Sequence, residues 1–142
     1  KSKTIGILGW AFKKDTNDSR ESASINVTDY LLDEGAEIYV YDPKVDKIKI
    51  INDLKNLWES NNASKFEIES KLNRITVTQD YEECFDSSSC IAVLTEWDEF
   101  VTYDWNSLIQ NMEKQHLIID GRNILNKEEI AKVANKFISI GK

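Results

Sequence analysis

The chain has 142 residues, of which 41% are hydrophobic and 30% charged, with a net charge of −7, the balance of one globular domain with a core of its own. The acidic balance argues against a nucleic-acid surface, which needs an extended basic face, so any anion site must be local. No apolar run approaches the ~18 residues of a membrane span, and Lys1-Ser2-Lys3 leads into a strand rather than a signal-peptide core, so the expectation is a cytoplasmic protein without membrane contact.

Apolar runs of strand length alternate with segments of helical period, which predicts β-α-β units and a parallel sheet. The first run, Thr4 to Leu8, leads into the loop Gly9 to Ser22. Ser22 suits an N-cap, Ala23, Val27, Tyr30 and Leu31 share one helical face, and Gly35 suits the left-handed closing position. A second strand, Glu37 to Tyr41, ends at the turn that carries the single proline, Pro43. The variable segment 44–74 is too long for a plain loop and is polar at Glu59-Ser60-Asn61-Asn62; with Ile51, Leu54 and Trp58 on one face, it is expected to be a helix plus an irregular loop. Strands are predicted next over Ile75 to Thr78, Cys90 to Leu94, Leu117 to Asp120 and Phe137 to Ile140. Between them, Asp104 is an N-cap candidate for a helix carrying Trp105, Leu108, Ile109 and Met112. Asn126 and Glu129 have capping-box spacing ahead of Ile130, Val133 and Ala134. The fold class implied is α/β: a Rossmann-like three-layer domain, with a mainly parallel sheet of five or six strands flanked by helices and residues 1–142 in a single domain.

Cys84 and Cys90 have neither C-x-x-C nor zinc-ligand spacing and read as reduced core residues, and the one histidine, His116, reads as structural or exposed. No nucleophile–base pair stands out, so this chain is expected to carry no catalytic residue and no metal. In an open parallel sheet, ligands bind outside the carboxyl ends of the strands. The loops there hold Gly9, Phe12, Lys13, Lys14 and Arg20 after strand one, Asp42 after strand two, Thr95-Glu96-Trp97 after strand four and Gly121-Arg122 after strand five. Lys13, Lys14, Arg20 and Arg122 therefore share an edge with Phe12 and Trp97, a combination suited to an aromatic base beside a phosphate, and a nucleotide is the candidate ligand. The same cations also read as solvated loop charges that neutralise Asp15, Asp18 and Glu21. The fingerprint G-x-G-x-x-G is absent, since no glycine follows Gly9 until Gly35, so a typical dinucleotide site is not expected. Asp42 imitates the ribose-binding acid of that motif, but a turn role in Tyr41-Asp42-Pro43 is the better reading without the glycines.

Gly9-Trp10-Ala11-Phe12-Lys13-Lys14-Asp15-Thr16, continued by Asp18-Ser19-Arg20-Glu21-Ser22, closely resembles the opening of the C-terminal domain of UDP-glucose 6-dehydrogenases. Tyr41-Asp42-Pro43-Lys44-Val45, Thr95-Glu96-Trp97 and Asp120-Gly121-Arg122 follow in the same order, so the resemblance covers nearly the whole chain. It implies a UDP-sugar-binding domain of a longer enzyme that oxidises UDP-glucose to UDP-glucuronate with two NAD. In that enzyme an N-terminal Rossmann domain holds NAD, a central helical part makes subunit contacts in a homo-oligomer, and a cysteine before the present segment forms a thioester. By resemblance, Phe12, Lys13 and Arg122 bind the UDP-sugar and Arg20 faces the NAD side, while Lys14, Glu96 and Trp97 shape the loops. The excised domain is then expected to be inactive. The alternatives are the same domain of a UDP-N-acetylhexosamine or GDP-mannose dehydrogenase, or a nucleotide-sugar-binding module without catalysis. Against its relatives the chain has Trp10 where phenylalanine is common, Asn123 where a second arginine can follow, and a divergent Lys47 to Lys71.

Overall fold

Strands β1 (Thr4–Leu8), β2 (Glu37–Tyr41), β3 (Ile75–Val77), β4 (Cys90–Val93), β5 (Leu117–Asp120) and β6 (Lys136–Ser139) form one sheet in a computed structural model that describes residues 3–140. Their order is β3-β2-β1-β4-β5-β6, and every neighbouring pair is parallel. This is the doubly wound order of the Rossmann plan, with its topological switch point between β1 and β4. Between the strands run α1 (Ala23–Asp33), α2 (Lys47–Ser60), α3 (Lys65–Leu72), a 3-10 turn (Tyr81–Cys84), α4 (Asp98–Thr102), α5 (Trp105–Ile109) and α6 (Lys127–Val133). Right-handed crossovers put α1 to α3 on one face and the 3-10 turn with α4 to α6 on the other. The packing of α1 on α2, α2 on α3 and α5 on α6 agrees with this. The core runs along both faces of the central strands, through Ile7, Leu8, Ile38, Val40, Ile91, Val93 and Ile118. Burial on both faces is why these strands read as continuous apolar runs rather than alternating ones.

Local signals fixed the helix ends. Ser22 accepts from Ser24 N, Asp104 from Ser107 N and Asn126 from Glu129 N, as N-caps do. Gly35 takes φ 92 after α1. The face of α1 differs from the expected one: Ser24, Thr28 and Leu32 point into the protein, while Tyr30 is exposed. The hydroxyl of Ser24 donates to Gly9 O at 2.8 Å, so a small polar residue meets the end of β1 where a larger apolar one would hold the helix away.

The segment after β2 also departs from the expected helix and irregular loop. Helix α2 buries Ile50, Leu54 and Trp58, with Ile50 in place of Ile51. The polar tract Glu59 to Asn62 is a closing turn, with Asn62 at φ 62 and Ala63 N bonded back to Trp58 O at 2.9 Å. A reciprocal capping box between Ser64 and Glu67 then starts a second helix, α3. These helices are pinned to α1 by polar contacts: Trp58 Nε1 donates to Asp29 Oδ1 at 2.6 Å, and Lys71 Nζ lies 3.1 Å from Asp29 and 2.8 Å from Asp33.

Candidate functional site

The loop after β1 is held in shape from within. Gly9 adopts φ 104, and a Cβ there would lie 2.5 Å from the Thr95 side chain, so the end of β1 is packed directly against the start of the β4 loop. Trp10 is fully buried, and its Nε1 donates 2.8 Å to Asp53 Oδ2 of α2; a phenylalanine could not make this bond. Phe12 N donates to Asp18 O at 2.7 Å, closing the loop around Lys13 to Asn17. Asp15 and Glu21 take the left-handed φ values 65 and 60, a conformation that an aspartate tolerates but a glutamate rarely adopts unless its surroundings impose it.

This frame projects Phe12 with 47% of its surface exposed, followed by an exposed Lys13. Among the described residues Lys13 has no ion-pair partner, whereas Lys14 pairs with Asp98 at 3.2 Å, Arg20 with Asp18 at 2.8 Å and Arg122 with Glu96 at 2.9 Å. Arg122 stands in a turn organised by the fully buried Asp120. The Asp120 carboxylate accepts from the amides of Arg122, Ile124 and Leu125 at 3.2, 2.8 and 2.8 Å. Asn123 occupies φ 60 in that turn, a value that asparagine tolerates better than arginine. Because β1 and β5 both flank β4, Lys13 and Arg122 rise from strand ends about 10 Å apart, two strand spacings, within reach of one nucleotide-sized ligand.

Arg20 is placed apart from this pair. Its guanidinium is bound twice by Asp18, Nε to Oδ1 at 3.1 Å and Nη2 to Oδ2 at 2.8 Å, and the side chain is 87% exposed. The Asp18 carboxyl is held well below the usual carboxylate range by those hydrogen bonds. Arg20 thus turns outward, paired with Asp18 rather than with the residues around Lys13 and Arg122.

Residues 6–127 match the UDP-glucose/GDP-mannose dehydrogenase family, UDP binding domain. The chain belongs to this family. It is 40% identical to UDP-glucose 6-dehydrogenase of Gallus gallus over 99% of this chain and 28% of that protein. It is 38% identical to UDP-glucose 6-dehydrogenase 4 of Arabidopsis thaliana over 99% of this chain and 30% of that protein. The chain therefore spans less than a third of the length of these curated relatives. The crystal structure of NDP-N-acetyl-D-galactosaminuronic acid dehydrogenase from Methanosarcina mazei Go1 shares the fold, with a TM-score of 0.71 at 24% identity over 100% of this chain and 25% of the other.

In this UDP binding domain the acid at the end of β2 is not free for a ribose. Asp42 Oδ2 accepts from Trp10 N at 2.6 Å, Ala11 N at 2.9 Å and Trp97 Nε1 at 3.1 Å. Its Oδ1 accepts from Lys44 N at 2.8 Å and Val45 N at 3.0 Å. A carboxylate offers about four lone-pair sites, so none is left over. Together with the Gly9–Thr95 contact, this closes the switch point at which a Rossmann domain takes its dinucleotide, and the described residues do not fit one there.

The sequence marked Asp42 as a turn residue; its links to Trp10, Ala11 and Trp97 had no signal in the local pattern, although an aspartate ending a strand ahead of a proline is a place to look. Glu96, expected to shape its loop, lies against Arg122. Glu96 Oε1 and Arg122 Nη2 meet the distance for an ion pair, yet Oε1 is shut off from solvent without an aligned donor, so the contact is ionic rather than a directed hydrogen bond.

Neither cysteine is set up as a nucleophile. Burial pushes the Cys84 thiol well up and the Cys90 thiol up to about 11, which leaves both protonated and unreactive near neutral pH. His116 is structural: its Nε2 accepts from Asn135 N at 2.9 Å, which leaves Nδ1 to donate to Glu113 O at 2.7 Å. No helix of the described residues is long and apolar enough to cross a membrane.

Proposed function

We propose that this chain is the nucleotide-sugar-binding part of a cytoplasmic, homo-oligomeric, NAD-dependent UDP-glucose 6-dehydrogenase that converts UDP-glucose to UDP-glucuronate. Phe12 lies against the ligand, Lys13 and Arg122 supply positive charge to it, and Arg20 faces the cofactor. The observation that carries this reading is Lys13, an exposed ammonium without an ion-pair partner among the described residues, set on a stiff loop beside an exposed aromatic ring in an acidic domain. A cation left unneutralised there is ready to meet an anion, and an aromatic face beside it suits a base or sugar. The similarity to UDP-glucose 6-dehydrogenases over 99% of the chain supports the same substrate.

NAD accepts hydride in such a reaction, and the closed switch point supports its being held by chain outside this sequence. The buried, protonated thiols of Cys84 and Cys90 likewise favour a nucleophile elsewhere. This domain then binds and orients the UDP-sugar, and the isolated chain is inactive.

The test is kinetic. In the full-length enzyme Lys13→Ala and Arg122→Ala are expected to raise KM for UDP-glucose at least about tenfold each, the scale of one charge-assisted contact. Unchanged kinetics in both variants would overturn the assignment. Assays of the same enzyme with UDP-N-acetylhexosamines and GDP-mannose establish the sugar, and turnover of UDP-glucose alone is the expected result. Titration of the isolated chain with UDP-glucose and with NAD, followed by NMR, is expected to give weak binding at best, since half a cleft leaves polar groups of the ligand unpaired.

A further inference from the structure

We propose that Asp42 is a positioning residue for nucleotide-sugar binding, a buried carboxylate that locks the loop bearing Phe12 and Lys13 to the loop whose Glu96 meets Arg122. The inference rests on the UDP-sugar site proposed above. Asp42 is 8% exposed, and no ion pair involves it among the described residues. Its charge is held instead by N–H donors from three separate loops: Trp10 and Ala11 after β1, Lys44 and Val45 after β2, and the indole of Trp97 after β4. Hydrogen bonds to a buried charge are shorter and stronger than neutral ones, and their donors cannot leave without stranding it.

The places of these donors give the carboxylate a bearing on the site. Ala11 immediately precedes Phe12, and both polar groups of its backbone are engaged across loops, N to Asp42 at 2.9 Å and O by the hydroxyl of Thr95 at 2.8 Å. Trp97 immediately follows Glu96, and its indole donates to the same Asp42 oxygen that receives Trp10 and Ala11. The two walls of the site, Phe12 with Lys13 on one side and Arg122 against Glu96 on the other, are thereby referenced to a single oxygen atom. Loops after strands are ordinarily the mobile parts of an α/β domain. Fixing them in advance reduces the ordering that ligand binding would otherwise require. The acid that a dinucleotide fold spends on ribose is here turned inward to set the shape of a different site.

The experiment uses the full-length enzyme with UDP as the binding probe in calorimetry, alongside steady-state kinetics in UDP-glucose and in NAD. Asp42→Asn puts an amide donor among N–H donors, and Trp97→Phe keeps an aromatic ring while removing one donor. Both are expected to weaken UDP binding and raise KM for UDP-glucose by about tenfold, the scale of one charge-assisted bond, with a smaller fall in kcat and a smaller change in KM for NAD. A role confined to stability would lower the active fraction, and so kcat, at unchanged KM and unchanged UDP affinity, and that result overturns the inference. If Asp42→Asn does not fold, Trp97→Phe alone decides. Lys13→Ala is measured in parallel: unchanged UDP affinity there overturns the site itself, whereas a weakened Lys13→Ala beside an unaffected Trp97→Phe overturns only the positioning role.

Discussion

Glu96 Oε1 and Arg122 Nη2 lie 2.9 Å apart and tie the loop after β4 to the loop after β5. The pair spans the two strand ends on one side of the proposed site, and it draws Arg122 toward Glu96 before any ligand arrives. It also sets one charge against the other, so that a diphosphate must draw on the guanidinium nitrogens that Glu96 leaves free.

For a pair with 36% and 27% of its side chains exposed, solvent screening keeps the interaction to about 1 kcal/mol or less. A double-mutant cycle of Arg122→Ala and Glu96→Ala in urea denaturation is expected to return a coupling of that size. A coupling of roughly 3 kcal/mol would mean that the pair is a structural element of the fold rather than a poised ligand contact.

Gly9→Ala combines two penalties, a side chain at φ 104 and a Cβ 2.5 Å from Thr95, with the Thr95 backbone nitrogen close behind at 2.7 Å. Relief would require β1 and the β4 loop to separate, so the expected loss of stability is at least about 2 kcal/mol. Chemical denaturation measures it, and a variant as stable as the parent would contradict this packing.

Lys71 is bound by Asp29 and Asp33, has 18% of its side chain exposed, and its Nζ lies 5.3 Å from the Trp58 ring centroid. Lys71→Met keeps the length of the chain and removes the charge, leaving two neighbouring carboxylates on α1 without their shared cation. A loss of about 1–2 kcal/mol is expected, with native-state hydrogen exchange accelerated in α2 and α3 and unaffected in the central strands.

The buried thiols set an alkaline limit. Because the folded state favours protonated Cys90, whose pKa rises from 9.0 to about 11, that stabilisation is intact below about pH 9 and disappears as the pH climbs toward 11. Cys84 is raised further by burial, and Tyr41 and Tyr103 are raised by burial and by Glu99, so the decline continues above that range. Thermal melts of the parent should fall progressively from pH 9 upward, and Cys90→Ala should flatten the first part of the slope while starting from a lower melting temperature. A slope identical in both proteins would show that Cys90 titrates as an ordinary exposed thiol.

The features legible in the chain are local ones. The strand-length apolar runs, the caps at Ser22, Asp104 and Asn126, and the closing Gly35 are each encoded within a few residues, and the alternation of elements specifies a parallel α/β sheet with its loops on one edge. The motif residues Phe12, Lys13, Arg20 and Arg122 were legible in the same way, as positions in post-strand loops. The orientation of α1 depends on its neighbours in space, with Ser24 turned inward to donate to Gly9 O just past β1 and Thr28 buried on the same face. Tertiary structure also decided which of Ile50 and Ile51 is buried, since adjacent apolar residues on a helix leave the facing surface to choose between them. The contacts that shape the site lie still further beyond sequence pattern: Asp42 meets Ala11 across 31 residues and Trp97 across 55. Periodicity reports which residues leave water, whereas the choice of partner for a buried charge depends on which loops the sheet order brings together.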